Sequence, residues 1–207
     1  MILILQHEPR EGPGRIGEAL VGPTRTIRLC DGAPLPSSLD GIDGILSLGG
    51  EANTHEPATW PERDLLKQAH DAHIPIVGVC LGSQLLACAT GGAVGPMPPE
   101  DAESGWYPVH RTQPDPLFDG LPDPMMQFHA HRYQVTHLPP GGTVLMSSTR
   151  CPVQAFRVGP RSVGIQFHPE WYEDLLRTFT PDVVSHYAEY DRLGAMIAQR
   201  LGTHLSR

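Results

Sequence analysis

The chain has 207 residues with 15 basic and 23 acidic side chains, a net charge of −8, and its length is typical of one domain that needs no covalent staples. The acidic balance without a long basic run argues against a nucleic-acid partner, and no apolar stretch is long enough to span a bilayer. The cysteine spacing matches no zinc motif, so we expect reduced thiols, no metal or other cofactor, and a cytoplasmic protein.

The first ninety residues alternate between strand and helix patterns. Apolar, β-rich runs predict four strands, at Met1–Leu5, Thr26–Leu29, Gly44–Leu48 and Ile74–Val79. Helical patterns separate or follow them, at Gly14–Leu20, from Pro61 onward and at Ser83–Ala89. This alternation is typical of an α/β fold with a largely parallel central sheet and helices on both faces. Ligands of such sheets bind beyond the carboxyl ends of the strands.

The middle of the chain has a different pattern. Short strands separated by proline and glycine turns are predicted at Trp106–His110, Met125–His129, Thr143–Ser147, Gln154–Val158 and Ser162–Phe167. We expect this part to form mixed or antiparallel sheet. Helix returns after Pro169, and near the end apolar and aromatic residues recur at three- and four-residue steps, at Val183, Tyr187, Tyr190, Leu193, Ile197 and Leu201.

The strongest functional pattern lies around Cys80. A β-rich run from Ile74 ends in Gly78-Val79-Cys80-Leu81-Gly82, and the helical pattern that follows makes this the thiol form of a strand–turn–helix nucleophile elbow. The helix N-terminus and a nearby imidazole would favour the reactive thiolate. The alternative is a buried structural cysteine, which is our interpretation of Cys30 and Cys88 because neither lies in such a turn.

His168 and Glu170 supply the partners that a thiol nucleophile needs. They are two residues apart in Gln166-Phe167-His168-Pro169-Glu170, so the carboxylate can hold one imidazole nitrogen while the other faces the thiol. Alone, such a segment is more often a loop with an incidental histidine. Its combination with the elbow favours a Cys-His-Glu triad for amide hydrolysis.

Gly49-Gly50 ends a predicted strand at the same sheet edge as Cys80. Glycine permits the close approach or unusual backbone angles that an oxyanion hole requires. We therefore predict that backbone N–H groups of Gly50 and Leu81 bind an oxyanion. A plain turn is the alternative for the glycine pair.

Three histidines lie close together in the middle of the sequence, at His129, His131 and His137. Metal binding is one interpretation of such spacing. No Asp or Cys completes an obvious ligand set, so the sequence favours a substrate contact by this loop, and we predict no metal.

Together these residues resemble the class I glutamine amidotransferases. The elbow Gly78-Val79-Cys80-Leu81-Gly82-Ser83-Gln84, the segment Phe167-His168-Pro169-Glu170 and the strand end Leu48-Gly49-Gly50 are similar to three motifs of that family, in the family's order. The resemblance covers about residues 1–180 as one amidotransferase domain and implies a flavodoxin-like three-layer sandwich. Residues 181–207 are then a helical extension packed on or beside that domain, for packing or for docking a partner.

The resemblance also implies a mechanism. Cys80 attacks the side-chain amide of glutamine to form a γ-glutamyl thioester, and ammonia leaves. His168 donates the proton to ammonia and then activates water, while Glu170 orients His168.

Binding roles follow from the same resemblance. The N–H groups of Gly50 and Leu81 hold the oxyanion, and Gln84 helps to hold the glutamine. Within the family the chain most resembles stand-alone GMP-synthase-like domains, which often have Gly-Asp where this chain has Arg132-Tyr133. We expect His131 and Arg132 to contact substrate, and the Arg132-Tyr133 change to affect acceptor specificity more than thiol chemistry.

Three functions remain open from the sequence. The first is a glutaminase that releases glutamate and ammonia, for which we expect a partner synthase because no second catalytic domain or nucleotide-binding loop is recognisable. The second is a γ-glutamyl peptidase or hydrolase acting on γ-linked peptides or conjugates, which requires a wider pocket. The third is a non-catalytic regulatory or binding protein, which an intact Cys80–His168–Glu170 set argues against. The oligomeric state is not predicted.

Overall fold

The computed structural model describes residues 1–180 and 184–206. Its strands are β1 (Ile2–Gln6), β2 (Thr24–Arg28), β3 (Gly44–Ser47), β4 (Ile76–Val79), β5 (Ala93–Pro96), β6 (Glu103–Arg111), β7 (Met125–His131), β8 (Tyr133–His137), β9 (Thr143–Ser147), β10 (Ala155–Val158) and β11 (Ser162–Ile165). Its α-helices are α1 (Gly14–Glu18), α2 (Trp60–Asp71), α3 (Leu81–Ala89), α4 (Glu173–Phe179) and α5 (Val184–Leu205).

Within the described residues, nine strands form one sheet in the order β2-β1-β3-β4-β11-β10-β9-β6-β7. The five strands from β2 to β11 in this order pair in parallel. The pairs from β11 through β10, β9 and β6 to β7 are antiparallel. The predicted change from parallel to antiparallel sheet is therefore confirmed. The two halves join at β11, which pairs in parallel with β4 and antiparallel with β10.

Helices cover both faces of the parallel half because its strands are apolar on both sides. In β1, Ile2 and Ile4 belong to the same core as residues of α1 and α5, whereas Leu3 and Leu5 belong to the core formed with α2 and α3. All four side chains are buried, and each such burial contributes about 1.5–3 kcal/mol to folding. The result is the predicted three-layer α/β arrangement.

A small two-stranded sheet, β5 paired with β8, was not predicted. Its first strand, Ala93-Val94-Gly95-Pro96, contains glycine and proline, which are depleted in strands. Its second strand follows β7 after one residue, so the sequence pattern does not separate them. This two-stranded sheet places residues 132–134 beside the start of α3, where Gln84 donates a hydrogen bond to the Tyr133 carbonyl.

The predicted C-terminal helix is observed as α5, apart from Val183, which lies outside the described residues. Leu193, Ile197 and Leu201 are fully buried in the core that also contains residues of β1, β3 and β4. This helix thus forms part of one outer layer of the sandwich. The proposed division of the chain at residue 180 stays a prediction.

No helix among the described residues combines the length and the apolar character needed to cross a bilayer.

The close contact between α3 and β3 generates a stability prediction. A β-carbon on Gly82 would lie 2.1 Å from the main-chain oxygen of Ser47, which has no flexible end that can move away. We expect Gly82→Ala to reduce the free energy of unfolding by about 2–4 kcal/mol, despite the better helix propensity of alanine. Chemical denaturation followed by circular dichroism would measure it.

Gly12→Ala is the matched control, because a β-carbon at Gly12 meets no atom within 4 Å. We expect its stability to lie within about 0.5 kcal/mol of the parent protein. Equal stabilities for the two variants would contradict the packing described for α3 and β3.

Candidate active site

Cys80 lies at the turn between β4 and α3, with φ +49° and ψ −107°. Positive φ is rare for a residue other than glycine and identifies a strained turn that places the side chain at the sheet edge. The glycines on either side permit this turn. A β-carbon on Gly78 would lie 2.4 Å from the Gly82 carbonyl oxygen, so both positions require a residue without a side chain.

His168 and Glu170 form the pair that their spacing predicts. Nδ1 of His168 lies 2.8 Å from Oε1 of Glu170, and both side chains are buried. The His168 backbone N–H donates to the Phe128 carbonyl at 3.0 Å. The Trp171 ring stacks on the imidazole, with ring centroids 3.7 Å apart. These contacts fix the orientation of the imidazole.

The other side of the His168 ring adjoins Cys80. A β-carbon on Gly49 would lie 2.9 Å from His168 Cε1 and 3.6 Å from Cys80 Cβ, so both residues border the same point. Burial disfavours the charged imidazolium, but the negative charge of Glu170, the proximity of Cys80 and the hydrogen bond with Glu170 outweigh it and raise the pKa of His168. The arrangement favours a charged imidazolium beside the thiol.

The predicted oxyanion residues are also neighbours. A β-carbon on Gly50 would lie 3.1 Å from Leu81 Cδ2 and 2.6 Å from His7 Cβ. Leu81 is the first residue of α3, where a backbone N–H has no acceptor within its own helix. The positive end of that helix dipole also lies here.

A buried polar network lies next to Gly49-Gly50. Glu62 of α2 accepts a hydrogen bond from Ser47 Oγ at 2.6 Å and lies 2.7 Å from Nε2 of His7. Burial lowers the pKa of His7, but the charge and hydrogen bond of Glu62 outweigh it, and the pKa is raised. His7 and Ser47 thus hold the ends of β1 and β3 against α2.

One cavity of about 730 Å³ contains most of the predicted site residues. Its lining includes Gly50, Cys80, Gln84, His131, Arg132 and His168. Leu81 and Glu170 lie behind this lining, next to Cys80 and His168 respectively. Tertiary structure therefore brings all eight predicted residues to the carboxyl edge of the parallel strands.

Glu11 also lines this cavity, and the sequence interpretation missed it. Its carboxylate would lie 3.2 Å from a β-carbon on Gly49. Burial is the largest cause that raises the pKa of Glu11 to about 7. The charge of His168 lowers this pKa, whereas the charges of Glu170, Glu8 and Glu51 raise it further. The loop that contains Glu11 begins at the carboxyl end of β1, the same sheet edge as Cys80. Ligands of parallel sheets bind at this edge, and this rule is the sequence signal that could have identified Glu11.

Both ring nitrogens of His131 have protein partners. Nδ1 lies 3.0 Å from the Tyr133 carbonyl and Nε2 lies 2.8 Å from Oε2 of Glu103. These two contacts hold the His131 ring between the Tyr133 backbone and the Glu103 carboxylate. The same Tyr133 carbonyl accepts a bond from Nε2 of Gln84 at 3.1 Å. A substrate contact of Gln84 would therefore use its carbonyl oxygen, and one of His131 would use the ring surface.

Among the described residues, Glu103, His129 and His131 are the group with metal-binding potential, since their ligand atoms lie within 4.8 Å of one another. Hydrogen bonds already occupy the Glu103 carboxylate, from Ser148 at 2.8 Å and Gln154 at 2.6 Å in addition to His131. Burial opposes ionisation of Glu103, but both histidines outweigh it and hold its pKa well below the usual range. A hydrogen-bond network thus accounts for Glu103 and His131, whereas Nδ1 of the buried His129 lies 3.4 Å from Oε2 of Glu103 without a hydrogen bond.

A comparison with protein families shows which family the chain belongs to. The family model for Glutamine amidotransferase class-I matches residues 30–179, well over half of the chain. The chain belongs to the class I glutamine amidotransferase family. The matched segment contains every predicted site residue, from Gly50 to Glu170.

Curated relatives of this amidotransferase chain agree with the family assignment. It is 36% identical over 142 residues to a glutamine-hydrolyzing GMP synthase subunit from Pyrococcus abyssi, covering 66% of this chain and 73% of that protein. It is 34% identical over 154 residues to the glutamine-hydrolyzing GMP synthase of Xylella fastidiosa, covering 69% of this chain. The chain spans only 28% of the length of that second relative.

A solved glutamine amidotransferase from Thermotoga maritima has the same fold. Its crystal structure superimposes with a TM-score of 0.85 at 24% identity, over 100% of this chain and 98% of that one. The predicted family and the predicted flavodoxin-like α/β fold are confirmed.

The pairing of His168 with Glu170 generates a titration prediction. Glu170→Gln removes the negative charge that raises the pKa of His168, so we expect this pKa to fall by about one to three units. In the parent protein His168 stays an imidazolium up to a higher pH. In the variant His168 loses its proton at a lower pH. Titration of the imidazole nitrogens by NMR would measure this difference.

Glu173→Gln is the control, because Glu173 is an exposed residue of α4 paired with Arg177. We expect it to leave the pKa of His168 unchanged. A Glu170→Gln variant that titrates like the parent would show that the carboxylate does not set the charge of His168.

Proposed function

We propose that this amidotransferase chain is a cysteine-dependent glutaminase that hydrolyses the side-chain amide of L-glutamine. The observation that carries the proposal is the elbow of Cys80, which places a thiol next to a buried His168–Glu170 pair in the wall of one cavity. Elbow, base and orienting carboxylate are the parts that nucleophilic acyl transfer requires. Family membership supports glutamine as the substrate.

In the first half of the reaction the thiolate of Cys80 attacks the Cδ carbonyl of glutamine. The carbonyl electrons move to the oxygen, which accepts hydrogen bonds from the N–H groups of Gly50 and Leu81. His168, held as an imidazolium by Glu170, gives its proton to the departing nitrogen. The C–N bond breaks, ammonia leaves, and a γ-glutamyl thioester remains on Cys80.

In the second half a water molecule attacks the thioester. Neutral His168 accepts the proton from water, and the same two N–H groups hold the second oxyanion. The C–S bond breaks and glutamate leaves, which restores the thiolate and the imidazolium.

Ammonia from this site would pass to a partner synthase. Two curated relatives have names that combine glutamine hydrolysis with GMP synthesis, and one of them is named as a separate subunit. Free ammonia is mostly protonated near neutral pH and is then no nucleophile. A synthetase that accepts the ammonia directly is therefore the partner that we propose.

The proposal predicts which thiol is essential. Cys80→Ala should abolish release of ammonia and glutamate from L-glutamine, by at least about 10³-fold, since no other group replaces the nucleophile. Cys88→Ala, in the same helix region but outside the elbow, should keep activity within about twofold. A coupled glutamate assay on both purified variants would measure this, and an active Cys80→Ala variant would refute the mechanism.

A γ-glutamyl hydrolase is the second candidate, and the size of the cavity favours it. A cavity of about 730 Å³ is of the size that holds drug-sized ligands, whereas glutamine is a single amino acid. Arg132 is exposed and lines this cavity. A guanidinium there suits a second carboxylate on a γ-linked peptide.

These two functions differ in their response to loss of Arg132. For a γ-glutamyl hydrolase, Arg132→Ala should raise KM for γ-glutamylalanine about tenfold, because one charged hydrogen bond to the peptide carboxylate is lost. Arg161→Ala, which lies before β11 at the opposite edge of the sheet, is the control. If the parent protein hydrolyses glutamine but not γ-glutamylalanine, the second candidate is excluded.

A further inference from the structure

Two residues far apart in the sequence bind the backbone of the segment that contains His168. The Tyr190 hydroxyl of α5 lies 2.6 Å from the His168 carbonyl and 2.9 Å from the Trp171 carbonyl. The backbone N–H of Arg15 donates to the Glu170 carbonyl at 3.1 Å. The guanidinium of Arg15 donates to the carbonyls of Trp171 and Pro169. All four carbonyls from residue 168 to residue 171 thus accept from Arg15 or Tyr190.

The charge of Arg15 is buried for this contact. Only 5% of the residue is exposed, and burying a guanidinium is costly unless its donors are bonded. Asp191 provides an ion pair, and the guanidinium also lies over the rings of Tyr172 and Tyr190, 4.2 and 5.2 Å from their centroids. Nη1 donates to the backbone of the segment, and Nη2 contacts the Tyr187 hydroxyl in addition to Asp191.

Glycines bring both helices into direct contact with the same segment. A β-carbon on Gly194 of α5 would lie 2.7 Å from the Pro169 carbonyl oxygen, and one on Gly14 of α1 would lie 2.0 Å from the Glu170 carbonyl oxygen. A larger residue at either position would push the helix away from the segment. Glycine at these two positions therefore permits the close approach of α1 and α5 to the segment.

We propose that Tyr190 and Arg15 are positioning residues for His168, which hold the main chain of residues 168–171 so that the imidazole meets the Cys80 thiol. The inference rests on the proposed function of His168 as the acid and base. It adds that α5 is part of the catalytic apparatus. Neither residue lies within the segment 30–179 that the family model matches.

Proton transfer by His168 and its contact with the Cys80 thiol both require short distances. The His168 ring is carried on the backbone that these donors hold, and Glu170 belongs to the same backbone segment. A displacement of about 1 Å at a catalytic group can cost about a hundredfold in rate. Tyr190 remains a donor at all working pH values, because burial first and the charge of Glu170 next raise its pKa well above the usual range.

Tyr190→Phe tests the proposal, since it removes the hydroxyl and keeps the ring. We expect kcat for glutamine to fall about tenfold to a hundredfold, with KM within about twofold. Tyr187→Phe is the matched control on the same helix, because its hydroxyl contacts Asp191 and Arg15 but no carbonyl of the segment. It should retain kcat within about twofold.

A second readout does not depend on turnover. The rate of Cys80 alkylation by iodoacetamide, followed by mass spectrometry of the Cys80 peptide, depends on an imidazolium next to the thiol. The titratable groups around His168 are Cys80, Glu170, Glu11 and His129. We expect the ratio of the alkylation rate at pH 6 to that at pH 9 to fall in Tyr190→Phe and to be unchanged in Tyr187→Phe.

The outcomes separate the two proposals. A parent protein without glutaminase activity would refute the proposed function, while the alkylation ratio would still test the positioning of His168. A Tyr190→Phe protein that melts at lower temperature but keeps the parent's kcat and alkylation ratio would show that α5 only packs. If Tyr190→Phe does not fold, Arg15→Lys keeps the ion pair with Asp191 but loses the forked donors, and should give the same two changes.

Discussion

A thiol at the end of a strand can act as a nucleophile only if the chain leaves the strand in a conformation that exposes it. Cys80 achieves this with a left-handed backbone, φ +49°, and the rest of the site is arranged around that turn. The turn is possible because Gly78 and Gly82 let the start of α3 contact β4 and β3 without β-carbons. The strain at one residue is thus offset by the packing of two elements.

The partner of the thiol is held in a different way. His168 follows the last parallel strand, β11, which pairs with β4 and so ends beside Cys80. Its ring is fixed by Glu170 and Trp171, and its backbone by contacts from α1 and from α5. The group that we propose as the acid and base therefore lies in a buried frame of hydrogen bonds and ring stacking.

The far wall of the cavity depends on charge rather than on strain. Glu103 of β6 accepts hydrogen bonds from His131, Ser148 and Gln154, and His131 in turn holds the Tyr133 carbonyl. That carbonyl also fixes the amide of Gln84. The antiparallel half of the sheet thereby sets the orientation of a residue in α3, which belongs to the parallel half.

Local patterns in the sequence determined the proposed nucleophile, its proposed base and the parallel sheet. Strand–helix alternation and the glycines around Cys80 are short-range features, because periodicity and turn geometry depend on neighbouring residues. His168 and Glu170 are recognisable because they are two residues apart. These features placed Cys80 and Gly49-Gly50 at one sheet edge, and paired His168 with Glu170, before any tertiary information was used.

Tertiary structure alone decided the remaining contacts. Glu11, Glu103, Arg15 and Tyr190 reach the site from distant segments, with Arg15 and Trp171 separated by 156 residues, and none lies in a motif of its own. The β5–β8 sheet is of the same kind. Glycine and proline obscure the strand pattern of β5, and the two strands form only by long-range pairing, as between Ala93 and His137. Such contacts have no local signature because side-chain burial and long-range pairing, rather than backbone propensity, supply their stability.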